Sequence, residues 1–253
     1  MEKGKRARKN NNKKKIILNL IIYILLFSIL IYSGIKICAW YKDKTNNNEI
    51  VEKIKDTVTV EDSKDEEYTV NFNKLKEQNN DSVAWLKVNN TNVEYPVVKT
   101  ENNSFYLNHS FDKSTNSAGW IFADYRNKFD GTDKNIIIYG HNVRDGSMFG
   151  SMKNILKSDW YNNEENTSII LNTENEKCIY KVFSIYQVES EDYYIKTEFK
   201  NDSEYEQFIK TIKTRSIKDF NVDISKNDNI LTLSTCANNN KYRVVLHAKK
   251  LKK

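Results

Sequence analysis

The chain has 253 residues, 40 of them Lys or Arg and 34 Asp or Glu, for a formal charge of +6. Eight of the basic residues and only one acidic residue, Glu2, fall in positions 1–15. Setting that tail aside leaves a net charge of −1, which argues against a nucleic-acid-binding surface on the rest of the chain. Three Cys and three His argue against a disulfide-stapled scaffold, and none of them shows the spacing of metal ligands, so neither a cofactor nor a metal is expected.

After the basic tail, residues 16–35 run without a charge and are mostly Ile, Leu, Tyr and Phe. At a rise of about 1.5 Å per residue such a helix spans the roughly 30 Å hydrocarbon core of a bilayer. The run exceeds the usual apolar region of a cleaved signal peptide, about 7–15 residues, and no small-x-small cleavage site follows it. Cys38 is preceded by Lys36 and Ile37, where a lipoprotein site needs small residues. These features predict a cytoplasmic tail over 1–15, a transmembrane anchor over 16–37 and an exported remainder. Residues 38–67 are polar and charged, with Asn46, Asn47 and Asn48 and an acidic run over 61–67. They read as a partly helical stalk. Residues 68–253 are enough for one sizeable core.

Within that domain the pattern predicts a short helix over 72–78 and then strands over 83–88, 93–98, 120–123, 135–139, 168–171, 178–189, 229–235 and 242–249, separated by Asn, Asp and Gly turns. A short helix is expected around 148–156. A longer one is expected over 203–214, where Tyr205, Phe208, Ile209 and Ile212 recur at helical spacing and Asp202 or Ser203 can cap it. Many short strands with few helices suggest a mainly-β barrel with helical insertions.

Two of the strands end in chemically capable side chains. Ile136-Ile137-Ile138-Tyr139-Gly140 runs into His141 and Asn142, and Leu231-Thr232-Leu233-Ser234-Thr235 runs into Cys236, with Arg243 opening the next strand. A thiol with an ordinary pKa near about 8.5 needs a base or a cation to become a nucleophile. His141 can move the proton, and Arg243, permanently charged with five donors, suits a developing oxyanion. On the last strand, alternation puts Arg243, Val245 and His247 on one face and Val244, Leu246 and Ala248 on the other. The chemistry this permits is acyl transfer through a thioester. Taken singly, each residue has an ordinary structural reading: a buried Cys, a turn His, a solvated strand Arg. A Cys178–Cys236 disulfide is a further alternative. There is no phosphate-binding loop, and Gly146-Ser147-Met148-Phe149-Gly150 lacks the order of a serine nucleophile elbow.

Leu233-Ser234-Thr235-Cys236 with Arg243 resembles the T-L-x-T-C…R signature of sortases, and Tyr139-Gly140-His141-Asn142 resembles their His segment. Val83-Ala84-Trp85-Leu86, Tyr95-Pro96-Val97-Val98, Gly119 through Asn127 and Asp145 through Phe149 are similar to class B sortases in particular, as is the helix over 203–214 placed before the Cys strand. The resemblance implies a closed eight-stranded sortase-type β-barrel with N-terminal helices, carried on the Gram-positive cell surface by a single N-terminal transmembrane helix.

It also implies a cysteine transpeptidase that cleaves a C-terminal sorting signal of N-P-x-T-[NG] type in secreted proteins. The acyl group would pass to an amine of peptidoglycan or its lipid-linked precursor. By motif match Cys236 is the nucleophile, His141 the acid and base, and Arg243 the oxyanion or substrate-binding residue. Ser234 matches a position lining the substrate groove, and its neighbour Thr235 and Asn142 of the His segment are further substrate-binding candidates. The connection 237–242 is short and Asn-rich, where several relatives carry a longer loop with an acidic residue. A hydrolytic cysteine peptidase with the same triad, and a surface binding module without turnover, are the alternatives.

Overall fold

The computed structural model describes the backbone of residues 2–55, 58–61, 67–237 and 241–251, and their side chains except at 2–14, 55, 58–61, 67–68 and 236–237. The middle of the Asn-rich connection, 238–240, lies outside the described residues, as do the middle of the acidic run and the last two residues. Helix α1 covers Glu2–Lys55, and the chain divides into two compact units, 1–46 and 47–253.

In the first unit the large apolar side chains from Ile16 to Tyr41 are exposed around the whole helix. The stretch Lys15–Ile54 is long and apolar enough to cross a membrane by length and composition. A helix that is apolar on every side has no polar face to turn toward water.

In the second unit the last turns of α1 belong to the core: Asn47, Ile50 and Ile54 are buried. Asn47 Oδ1 accepts from Ser110 Oγ at 2.5 Å and Asn116 Nδ2 at 3.0 Å. Strands β1 (Val58–Glu61) and β2 (Glu67–Val70) form an antiparallel pair from Val58↔Val70 to Glu61↔Glu67, across the expected boundary between stalk and domain at 67/68. Helix α2 (Phe72–Gln78) starts where Asn71 accepts from Lys74 N at 3.1 Å. It buries Phe72 and Leu75.

The eight expected strands are all present: β3 (Ser82–Val88), β4 (Glu94–Val98), β5 (Phe122–Ala123), β6 (Asn135–Gly140), β7 (Ser168–Thr173), β8 (Lys177–Glu189), β9 (Ile230–Ala237) and β10 (Tyr242–Lys250). They close into a barrel in the order β10-β8-β7-β3-β4-β5-β6-β9, with β4–β5 and β6–β9 parallel and the other pairs antiparallel. Alternation decides which side chains meet. Leu231 and Leu233 of β9 and Val244, Leu246 and Ala248 of β10 join the main core.

The opposite face of these strands is also buried, because helix α4 (Asp202–Thr214) lies on it. Tyr205, Phe208, Ile209 and Ile212 of α4 pack with Phe183, Tyr186, Ile230 and Val245 in a second cluster. Each such side chain contributes about 1.5–3 kcal/mol on burial. The cap of α4 is Asn201, whose side chain accepts from Glu204 N at 2.9 Å, a position earlier than the expected Asp202 or Ser203. Those residues sit instead in the first turn. A run of 3₁₀ helix over Gly150–Leu156 replaces the expected short helix, and a single turn, α3, follows at Ser158–Tyr161.

Candidate active site

The pairing of β6 with β9 is the key local fact. The two strands run parallel and in register from Asn135↔Ile230 to Gly140↔Thr235. Both therefore end at the same rim of the barrel, His141 following one and Cys236 standing next to last in the other. The antiparallel return strand β10 then puts Arg243 directly opposite Cys236. Opposed residues in such a ladder have Cα atoms about 4.5–5.5 Å apart. Backbone pairing alone thus brings His141 to the rim that carries Cys236 and Arg243, more than ninety positions later in the sequence.

A cavity of about 330 Å³ opens at this rim, and His141, Arg243, Ser234 and Thr235 line it. Asn103, Leu107, Tyr139, Tyr194 and Ile195 line it as well, none of them a site candidate from sequence. The adjacent Tyr193 and Tyr194, aromatic residues in the loop between β8 and α4, were the available signal for that wall. Asn142 is not among the lining residues; it pairs with Met148 in an isolated β-bridge. Cys178, buried in β8, is a free thiol, so the Cys178–Cys236 disulfide is not formed.

A sortase domain is matched over residues 86–251. The chain belongs to the sortase family. Sortase B of Staphylococcus aureus is 35% identical over 217 residues, 85% of this chain and 88% of that protein. Sortase B of Listeria monocytogenes is 32% identical over 248 residues, covering 94% and 98%. The solved structure of a Staphylococcus aureus sortase B–substrate complex superposes with a TM-score of 0.68 at 32% identity, covering 84% of this chain and 94% of that one. The sortase is accordingly of class B, a cysteine transpeptidase with a closed eight-stranded barrel.

Local geometry sets the chemistry the sortase rim can support. The His141 backbone carbonyl accepts from Val143 N and Phe149 N, both at 3.0 Å, which pins the turn after β6. Gly140 must lack a side chain, because a Cβ there would lie 2.5 Å from Ile121 Cδ1 and 2.7 Å from Phe149 Cγ. His141 Nε2 lies 2.7 Å from the carbonyl oxygen of Leu107. A carbonyl can only accept, so Nε2 carries a hydrogen, and Nδ1 is the nitrogen left to take up or release a proton. Arg243, half-buried, donates from Nη1 to Tyr242 O at 3.1 Å. Ser234 Oγ and Tyr194 OH are 3.0 Å apart, while the buried hydroxyl of Thr235 has no hydrogen-bond partner among the described residues. A lone buried hydroxyl costs about 1–3 kcal/mol, which a groove ligand can recover by bonding to it.

Behind the groove, Asp124 is fully buried and accepts from Arg126, Tyr139 and Asn103. Burial pushes its carboxyl up, but these bonds outweigh burial and hold it below the ordinary carboxylate range.

Proposed function

We propose that this sortase is a membrane-anchored transpeptidase that cleaves a C-terminal sorting signal of N-P-x-T-[NG] type and joins the acyl part to a peptidoglycan amine. The observation that carries the reading is the register placing Arg243 opposite Cys236 and Gly140, the residue before His141, opposite Thr235. In the proposed reaction the Cys236 thiolate attacks the scissile carbonyl, and the carbonyl oxygen becomes an oxyanion held by the Arg243 guanidinium. The C–N bond then breaks as the His141 imidazolium gives its Nδ1 proton to the leaving amine. A thioester remains. The incoming amine loses a proton to His141 as it attacks, and the Cys236 sulfur departs as thiolate. Ser234 and Thr235 would contact the bound signal, with Asn142 beside the acid.

The solved substrate complex of the Staphylococcus aureus relative supports a substrate as occupant of the groove. The apolar run of α1 supports anchoring, and the basic tail supports a cytoplasmic N-terminus with the barrel outside.

The test is to incubate the full chain in detergent micelles with a panel of sorting-type peptides and to read adducts by intact mass, with Cys236→Ala alongside. A thioester that added amine converts to ligated peptide establishes the activity and its motif. Hydrolysed product alone, despite abundant amine, would show a peptidase with the same triad. Binding without any adduct would show a module that does not turn over.

A further inference from the structure

The sortase mechanism makes no use of the buried carboxylate at the end of β5. Asp124 is 0% exposed. Its Oδ1 accepts from the backbone N of Arg126 at 3.0 Å and from Arg126 Nε at 2.7 Å. Its Oδ2 accepts from Arg126 Nη2 at 2.8 Å, Tyr139 OH at 2.8 Å and Asn103 Nδ2 at 3.0 Å. Two of these partners, Asn103 and Tyr139, line the groove. A third wall is reached through Arg126, whose Nη2 also donates to the carbonyl of Ile195 at 3.3 Å. Asn103 is held from its other side by Tyr125 N, which donates to its Oδ1 at 2.9 Å.

One carboxylate therefore ties together the loop before the Phe105–Leu107 turn, strand β6 and the loop between β8 and α4. All three segments contribute lining residues to the groove. A carboxylate offers about four acceptor sites on two oxygens and no donor, so it can satisfy an amide, a phenol and a guanidinium at once. An apolar replacement of the same volume would take the shared acceptor from all three donors, leaving Arg126 only its bond to the Ile195 carbonyl and Asn103 only the one from Tyr125 N. His141 and Arg243 are not among its partners.

We propose that Asp124 is a positioning residue for substrate, setting the spacing of three groove walls without touching the thiol chemistry; this rests on the transpeptidase reading above. Asp124→Asn keeps the shape but replaces one acceptor by an NH₂, which must face either Asn103 Nδ2 or the Arg126 guanidinium, both donors.

The test uses the full chain in micelles and compares single-turnover acylation by a sorting-type peptide, iodoacetamide alkylation of Cys236, and binding of the same fluorescent peptide in a Cys236→Ala background. Asp124→Asn is expected to raise KM and the peptide Kd about tenfold, with kcat within about twofold and the alkylation rate unchanged. Arg126→Gln, at a partly exposed position, loses the link to the Ile195 carbonyl and is expected to shift KM in the same direction by a smaller factor. It carries the test if Asp124→Asn does not fold. Unchanged KM and Kd with only a lower melting temperature would reduce the network to a structural one and overturn the proposal. So would alkylation falling in parallel with acylation. Wild-type protein that binds peptide without acylation would overturn the transpeptidase reading and leave the Asp124 comparison decided by Kd. Wild-type protein that does neither would overturn both.

Discussion

Arg243 stands directly opposite Cys236 across the β9–β10 ladder, fixed there by backbone pairing that begins at Lys249↔Ile230 and holds to the rim. A guanidinium in this place needs no mobile loop to reach the substrate, and its planar fork offers two parallel donors to one oxygen-bearing group. Lysine would keep the charge and lose the fork. Arg243→Lys is expected to slow thioester formation by about a hundredfold, within the range for removing an oxyanion donor, and Arg243→Ala further. Single-turnover acylation measures this. A rate within about threefold of wild type for Arg243→Lys would show that charge alone suffices.

Cys178 differs from the proposed nucleophile in place and in chemistry. Burial, with Glu176 adding to it, pushes the Cys178 thiol up to about 11. It is therefore almost wholly protonated at neutral pH and a poor nucleophile. Cys178→Ser is expected to leave acylation intact, and mass mapping after brief iodoacetamide treatment near neutral pH, well below that value, should find Cys178 unlabelled. Labelling of Cys178 ahead of Cys236 would overturn the assignment of the nucleophile.

Gly119 has φ +59, a conformation that side chains rarely adopt. A Cβ there would lie 2.5 Å from Tyr106 O, 2.8 Å from Leu107 O and 3.0 Å from His141 Cδ2. Leu107 O is the acceptor that orients the His141 ring. Gly119→Ala should destabilise the fold by about 1–3 kcal/mol and slow acylation beyond what the loss of folded protein explains. Thermal melts and rates corrected for the folded fraction separate the two effects.

His247 is fully buried behind the site, with Tyr186 OH at 2.8 Å from Nε2 and Thr232 Oγ1 at 2.9 Å from Nδ1. Burial lowers its pKa to about 3, against about 6.5 in the unfolded chain. Between those values the unfolded chain binds a proton that the native state refuses. The stability from keeping it neutral is complete above about pH 6.5 and is lost as pH falls toward 3, at most about 5 kcal/mol. Melting temperature should therefore fall over that window, and His247→Gln should flatten the slope while lowering the melt at pH 8. An unchanged slope would place the acid sensitivity elsewhere.

Much of the barrel was legible along the chain. Alternation of Val244, Leu246 and Ala248 against Arg243, Val245 and His247 depends only on the two-residue period of a strand, and the structure sorts them as expected. The helical spacing of Tyr205, Phe208, Ile209 and Ile212 was equally local. The cap was misplaced because Asn201, Asp202 and Ser203 can all cap, and backbone geometry chose the first. Residues 47–54, polar enough to read as stalk, conceal Asn47, Ile50 and Ile54, which are buried because partners such as Ser110 and Asn116 lie more than sixty positions away.

The candidate residues themselves, His141, Cys236 and Arg243, stood out in the sequence because strand ends and residue types mark them locally. Their meeting did not. The parallel alignment of β6 with β9, the burial of His247 against Tyr186 and Thr232 and the convergence of Asn103, Tyr139 and Arg126 on Asp124 all join separate segments. Periodicity carries no information about such pairings. They form because closing those loops costs little more with each added residue, while barrel closure and buried polar groups favour the arrangement that pairs the strand edges and gives most buried donors a partner.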